Sequence, residues 1–560
     1  YRSHGSWGSQ EDTYIMFFDP EAWDRFRLNK EELELLEEKE KAEKDSKDNA
    51  DKETKDKKKD KKDTKAGDKK DDKPAVKDLK FELEGRQDRI ARLTVNSSHM
   101  GDAVLSPKGD KLYYMAAFEG GYDLWQHDLK NNTTSILIKG VGGFMNPGKD
   151  GEKVYIASRG GLSEVSFKDA KVKNIPFSAQ FNWRPAQERE YIFNHAWRQV
   201  LDKFYDPEIH GIDWKGYHDA YARFLPHITN NYDFAEMLGE MLGELNGSHT
   251  GARYYAPSSA PAVATLGAFY DNDYKGNGLK VKEVLKNGPL SGADSKVKAG
   301  AIIEKIDGQA INATDNYLPL LAGKAGKKVI ISGKDASGKA FEQTVKAISS
   351  GEQSNLLYNR WIENNRAKVE KMSGGKVGYI HIKGMDSQSF RKTFSDLMGR
   401  YRNCDAIVID TRHNGGGWLH EDLAILLSGT EFARFTPRGQ YIGSDPFNRW
   451  FKPSCVLMCE DNYSNAHGFP WTYKTLGLGK LIGAPVPGTM TAVWWENQID
   501  PSIVFGIPQV GTADMQGKYL ENAELRPDIE VYNTPEQQLA GEDAQLEAAV
   551  KEMLKAIAKK

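Results

Sequence analysis

The stretch Val456-Leu457-Met458-Cys459-Glu460-Asp461-Asn462-Tyr463-Ser464-Asn465-Ala466-His467-Gly468 runs from four apolar residues, through a polar turn, into a segment able to start a helix. A serine on such a strand-to-helix turn exposes its hydroxyl, and the backbone N–H groups that follow it can converge on a developing oxyanion. Ser464 is therefore the candidate nucleophile.

Working outward, strand-like runs recur at Val377-Gly378-Tyr379-Ile380-His381-Ile382, Ala406-Ile407-Val408-Ile409-Asp410 and Lys480-Leu481-Ile482-Gly483. Helical segments near residues 387–401 and 419–427 separate the first three strands, which predicts an α/β core with a largely parallel sheet. Directly after one strand comes Asp410-Thr411-Arg412-His413-Asn414-Gly415-Gly416-Gly417-Trp418. Its glycines allow close backbone approach to a substrate, as an oxyanion hole requires, although a tight turn alone would also use them. The spacing fits neither a dinucleotide fingerprint nor a P-loop.

Upstream, two segments carry helical periodicity. Phe193, Trp197, Val200, Leu201, Phe204 and Tyr205 share one face, and Phe234, Met237, Leu238, Met241, Leu242 and Leu245 share another. The second ends at Asn246-Gly247, a C-cap signal, and Ser248-His249 follows at once. Residues 258–347 then read as short strands, with Ala299-Gly300-Ala301-Ile302-Ile303-Glu304-Lys305-Ile306-Asp307-Gly308 resembling the central strand and turn of a PDZ domain. Leu266-Gly267-Ala268-Phe269 would be the carboxylate-binding loop of such a domain.

Nearer the N-terminus, Ser106-Pro107-Lys108-Gly109-Asp110-Lys111-Leu112-Tyr113-Tyr114 is echoed forty residues later by Asn146-Pro147-Gly148-Lys149-Asp150-Gly151-Glu152-Lys153-Val154-Tyr155. That period, with Pro/Gly turns between short strands, suggests propeller blades, too few to close a propeller. Asp51 to Lys73 holds 11 Lys against 8 acidic residues and nothing more apolar than Ala, which predicts a solvated, disordered insertion.

The chain has 560 residues, 39% hydrophobic and 28% charged, enough for several cores. A net charge of -3 supplies no global attraction to nucleic acid, and no apolar run reaches membrane-helix length. Neither an initiator Met nor a signal peptide is legible, and the expected compartment is cytoplasmic, with a periplasmic alternative if a signal peptide is missing. Cys404, Cys455 and Cys459 are too sparse for a disulfide framework, and Cys404 and Cys459 read as small buried hydrophobes. No residues show metal-ligand spacing, so neither metal nor cofactor is expected. Trp494 and Trp495 read as core packing.

A serine needs a base oriented by a third group. His467 lies three residues past Ser464, where a side chain at a helix start diverges from the nucleophile, and His249 is the distant alternative. The order of blades, helical segment ending in Gly-Ser-His, PDZ-like module and α/β domain with its glycine run closely resembles the tricorn protease family, from about residue 81 to the end. The resemblance implies a serine endopeptidase with a Ser-His-Ser-Glu tetrad acting on short or unfolded polypeptides. Ser464 would be the nucleophile, His249 the general base, and Ser248 and Glu521 the groups that orient and polarise the imidazole, with Glu524 close enough to compete with Glu521. The amides of Gly415 or Gly416 and of Asn465 would form the oxyanion hole. A hexamer is implied as well. The related C-terminal processing proteases use a lysine about twenty-five residues after the serine, but position 489 is Thr and no lysine lies between Lys480 and Lys518. An inactive peptide-binding propeller/PDZ scaffold is the alternative function, and an esterase is disfavoured because the serine lacks a Gly-x-Ser-x-Gly context.

The expected fold is multidomain α/β plus all-β, with partial β-propeller blades, a helical domain, a PDZ-like domain and an α/β catalytic core. Its parts are blade strands over residues 1–30, the disordered insertion over 31–80, blades over 81–182 and the helical domain over 183–256. The PDZ-like domain over 257–350, the protease domain over 351–534 and a closing helix over 535–560 complete it.

Overall fold

The computed structural model describes residues 11–56 and 81–559, apart from positions 108, 119, 150, 151, 159, 160, 168, 170 and 259. The chain forms two compact units, one ending at Asn182 and the other beginning at Trp183. Among the described residues no helix is long and apolar enough to cross a membrane.

In the first unit, Tyr14–Met16 pairs antiparallel with Ile90–Arg92, so the charged stretch is an excursion between paired strands. Disorder is not what its first half shows. Lys30–Asp56 is an α-helix, and residues 57–80 lie outside the described residues. Low apolar content rules out burial, but Glu, Lys, Leu and Ala are strong helix formers, and composition alone does not weigh that. The helix start is capped reciprocally: Asn29 Oδ1 accepts the Glu32 N–H and Glu32 Oε2 accepts the Asn29 N–H, both at 2.9 Å. Glu37 and Glu40 pair with Arg25, and Glu37 also pairs with Lys130.

Two four-stranded antiparallel meanders follow. The first contains His99–Leu105, Lys111–Ala117, Asp123–Asp128 and Thr133–Ile138, and the second Phe144–Pro147, Lys153–Ser158, Gly161–Ser166 and Val172–Ile175. The forty-residue echo falls on the first turn of each. Ser106 N–H donates to the Lys111 carbonyl at 2.8 Å, and Gly148 N–H donates to the Lys153 carbonyl at the same distance. Tyr113, Met115, Leu124, Met145, Val154, Ile156 and Val165 form one core across both meanders.

The second unit is built on a five-stranded, all-parallel sheet of Val377–His381, Ala406–Asp410, Ser454–Met458, Lys480–Gly483 and Ile529–Glu530. Side chains alternate across a strand, so each face has its own core. Ile380, Ile409, Val456 and Met458 pack with Phe390, Leu423 and Phe469 from helices Ser387–Ser395, His420–Leu427 and Asn465–Thr475. Tyr379, Val408, Cys455 and Leu457 pack with Ile362, Val369, Leu546 and Val550 from helices Ser350–Ser373 and Ala544–Ala558. The result is a three-layer α/β/α sandwich. The closing helix is shorter than expected, because Pro535–Leu539 is a separate helix that stops before Gly541.

Strands Ala268–Tyr270, Leu279–Val284, Ile302–Ile306, Lys328–Lys334 and Ala340–Lys346 form a separate antiparallel module around Val281, Ile303, Val329 and Ile331. A second sheet joins distant parts of the chain. Gly251–Tyr254 pairs with Ile503–Gly511, which pairs in turn with Thr491–Asn497. Ile503, Phe505 and Ile507 pack into the core of helices Pro185–Lys203 and Asn231–Gly243, with Phe193, Val200, Phe234, Leu238 and Leu242. Leu201, read as part of the apolar face, is exposed.

Candidate active site

Ser464 sits between the strand Ser454–Met458 and the helix Asn465–Thr475, with φ 56° and ψ -125°. This left-handed backbone is strained for a non-glycine residue by roughly 1–3 kcal/mol and persists only when its surroundings hold it. They do so from three sides. Thr489 Oγ1 accepts the Ser464 N–H at 2.9 Å, Tyr463 N–H donates to the Asn414 carbonyl at 3.1 Å, and Asn462 Nδ2 donates to Thr411 Oγ1 at 2.9 Å.

The glycine loop lies against this turn. A Cβ added at Gly416, where φ is +99°, would stand 2.6 Å from Ser464 Cβ and 3.1 Å from the Asn465 nitrogen. The loop begins in a buried clamp: Arg412 donates to Asp410, to Asp543 at the start of the closing helix, and to Gln545. Burial opposes the Asp410 charge, yet Arg412 beside it holds the carboxyl below its usual range. The Asp-x-Arg part of the motif is thus an anchor. Gly416 N–H is committed to Asn414 Oδ1 at 2.9 Å. Among the described residues the amides of Gly415 and Asn465 donate to no protein acceptor. Those two, rather than Gly416, are the amides left open beside Ser464.

His249 arrives from the helical segment with φ 63°, two residues before the strand Gly251–Tyr254 begins. Its N–H donates to the Tyr463 hydroxyl at 2.7 Å, and its ring packs on Tyr463 with centroids 4.8 Å apart. Imidazole Nδ1 lies 2.8 Å from Ser248 Oγ and 3.0 Å from Thr491 Oγ1. Ser248 Oγ in turn donates to Glu521 Oε2 at 2.9 Å, while Ser248 N–H donates to Glu521 Oε1 at 2.5 Å. The hydrogen-bonded chain Glu521–Ser248–His249 therefore engages Nδ1 and leaves Nε2 without a partner among the described residues. Glu524, the alternative carboxylate, pairs with Arg526 at 2.8 Å. Burial lowers the His249 pKa below 6.5 and raises that of Glu521 above 4.5.

His467, the nearer histidine, is buried and accepts the Thr489 N–H on Nδ1 at 3.3 Å, and burial lowers its pKa to about 4. It supports Thr489, which holds the Ser464 amide. Thr491 is the residue that sequence reasoning missed entirely. Tyr463 and Thr489 were visible only as the neighbour of Ser464 and as the position lacking a lysine. Trp494 and Trp495 are a correction: they are 55% and 39% exposed, since their strand lies at the edge of its sheet. Cys459 is buried as expected, and its thiol also donates to Asp461 Oδ1 at 2.7 Å.

Residues 185–243 match the family model of the Tricorn protease C1 domain, and residues 376–531 match that of Peptidase family S41. The chain carries a tricorn C1 domain and an S41 peptidase domain. The first match ends just before the Ser248-His249 turn, and the second spans the glycine loop, Ser464 and Glu521. Tricorn protease homolog 1 of Streptomyces coelicolor is 26% identical over 379 residues, covering 65% of this chain and 35% of that relative. The tricorn protease of Thermoplasma acidophilum is 28% identical over 255 residues, 45% of this chain and 23% of its own length. The crystal structure of the tricorn protease superposes with a TM-score of 0.72 at 18% identity, over 87% of this chain and 49% of that one. The chain thus spans about a third or less of the two curated relatives and about half of the solved tricorn chain. As in that structure, the fold is mixed α/β with many sheets.

Within this tricorn-type chain the sheet that carries His249 is sensitive to a single atom. A Cβ at Gly506, the residue paired with Gly251, would stand 2.9 Å from the His249 carbonyl oxygen. Gly506→Val is expected to lower peptide turnover by up to about 100-fold, the order lost on a displacement near 1 Å, with an unchanged far-ultraviolet circular dichroism spectrum. Equal turnover in steady-state assays of wild type and variant would contradict this.

Proposed function

We propose that the chain is the catalytic part of a serine endopeptidase that hydrolyses short or unfolded polypeptides through an acyl-enzyme. The observation that carries this reading is the Glu521–Ser248–His249 hydrogen-bonded chain, set on Tyr463 beside Ser464. Ser464 Oγ attacks the scissile carbonyl while His249 Nε2 takes its proton. Glu521, acting through Ser248, stabilises the imidazolium and fixes the ring. The amides of Gly415 and Asn465 receive the oxyanion charge. His249 then protonates the leaving amine, and water, activated by the same nitrogen, releases the acyl group.

The two meanders of the first unit serve in this reading as propeller blades and the antiparallel module as a PDZ-like domain. A recess of ≈ 430 Å³ lined by Leu266, Ala268, Phe269, Tyr317 and Leu321 would receive an extended peptide end. A homo-oligomer follows from the family resemblance.

Labelling tests the chemistry directly. A fluorophosphonate at neutral pH is expected to modify Ser464, located by peptide mass mapping, and to leave Ser464→Ala unmodified. A folded wild-type chain that takes no adduct would point to the noncatalytic scaffold.

A further inference from the structure

Behind the nucleophile turn lies a cluster that the peptidase reading does not use. Adjacent parallel strands Ala406–Asp410 and Ser454–Met458 deliver His413 from one loop and Cys459 and Asp461 from the next. His413 Nδ1 lies 2.8 Å from Asp461 Oδ2, and Cys459 Sγ lies 2.7 Å from Asp461 Oδ1. One ligand atom from each residue falls within 4.8 Å of the others. The His413 N–H points at the Cys459 sulfur from 3.3 Å, the backbone donor that a metal-bound thiolate accepts. Cys459 is buried, whereas the side chains of His413 and Asp461 are about half exposed, so a cation can enter from solvent. No sequence spacing marks this cluster, because His413 comes from a neighbouring strand.

We propose that His413, Cys459 and Asp461 form a regulatory site for a thiophilic divalent cation of the Zn²⁺ class. Sulfur, imidazole and carboxylate donors suit Zn²⁺ and exclude Mg²⁺ and Ca²⁺, and three protein ligands leave a fourth position for water. Binding forms a metal–thiolate bond and releases the Cys459 proton to solvent, while His413 binds as the neutral imidazole. Tetrahedral coordination places the donor atoms about 3.3–3.6 Å apart. The two hydrogen bonds to Asp461 must then break and the two loops shift against each other. His413 is two residues from Gly415 and Asp461 three from Ser464, so occupancy displaces the glycine loop relative to the nucleophile turn. This consequence rests on the serine-peptidase reading, and the metal site does not.

The test uses Co²⁺ as probe on the full chain. Wild type and Cys404→Ser are expected to develop a sulfur-to-cobalt charge-transfer band in the near ultraviolet, bleached by Zn²⁺. Cys459→Ser is expected to lack the band, and His413→Ala, altered at a half-exposed residue, to need at least about tenfold more metal. No band in wild type, or a band that survives in Cys459→Ser, overturns the site. Saturating Zn²⁺ is expected to slow peptide turnover in wild type but not in His413→Ala at the same concentration, and equal turnover with and without Zn²⁺ overturns the regulatory role. The band is read without substrate, so an inactive chain leaves the site standing, and a missing band leaves Ser464 standing as nucleophile.

Discussion

His249→Ala is expected to lower kcat for peptide hydrolysis by at least about 10⁴-fold while KM changes little, because the proposed base would act in the transition state and not in binding. Among the described residues neither His467 nor position 489 is placed to take over. His467 is turned toward Thr489, and burial holds its pKa at about 4. Position 489 is threonine, engaged with the Ser464 amide. The pH dependence of the wild type follows from the same surroundings. Burial lowers the His249 pKa below 6.5, so the neutral, proton-accepting form already dominates at neutrality. The midpoint of the acid limb of kcat/KM is therefore expected below pH 6.5. Glu521→Gln keeps a group able to accept from Ser248 but removes the charge proposed to stabilise the imidazolium. Its limb is expected to move to lower pH as kcat drops. Steady-state kinetics across pH on the three proteins checks all of this. Near-wild-type turnover in His249→Ala would transfer the role of base elsewhere.

How much of this was legible differs from part to part. The parallel sheet was readable because its strands are apolar runs separated by helical periods, and the matching faces around Ile409 and Val408 follow from alternation alone. The helix Lys30–Asp56 was not, because composition reports on burial and helix formation there is local. At the site, a serine on a turn and a glycine run after a strand are local patterns. The meeting of Ser248 with Glu521 spans 273 residues and has no local signature, so only the resemblance to a family pointed to it. Thr491 had no signal of any kind. It reaches the imidazole because Thr491–Asn497 and Gly251–Tyr254 flank one shared strand, a pairing that periodicity cannot foresee. The same sheet explains why the helical segment and the α/β core act as one site: Phe505 and Ile507 are core residues of the first while their strand follows from the second.

Gly416→Ala is the most damaging single-atom change expected outside the catalytic groups. Its φ of +99° disfavours any side chain, and the added methyl would meet Ser464 Cβ at 2.6 Å and the Tyr463 carbonyl oxygen at 2.8 Å. Neither contact can relax by a rotamer change, since one atom is backbone and the other is fixed by it. The loop is held from behind as well, where Met385 N–H donates to the Gly416 carbonyl at 2.9 Å. Either the loop or the Ser464 turn must move, which separates the amides of Gly415 and Asn465 that would share an oxyanion. A loss of about 10²–10³-fold in kcat is expected, the range for removing one oxyanion donor, together with a stability cost of about 1–3 kcal/mol. Gly415→Ala is the matched control. No atom lies within 4 Å of a Cβ added there, its φ is outside the left-handed region, and its N–H is retained. It should lose far less activity. Comparing kcat and the rate of fluorophosphonate labelling in the two variants separates damage to the site from damage to the fold, and equal activity in both would mean that the glycine loop does not serve Ser464.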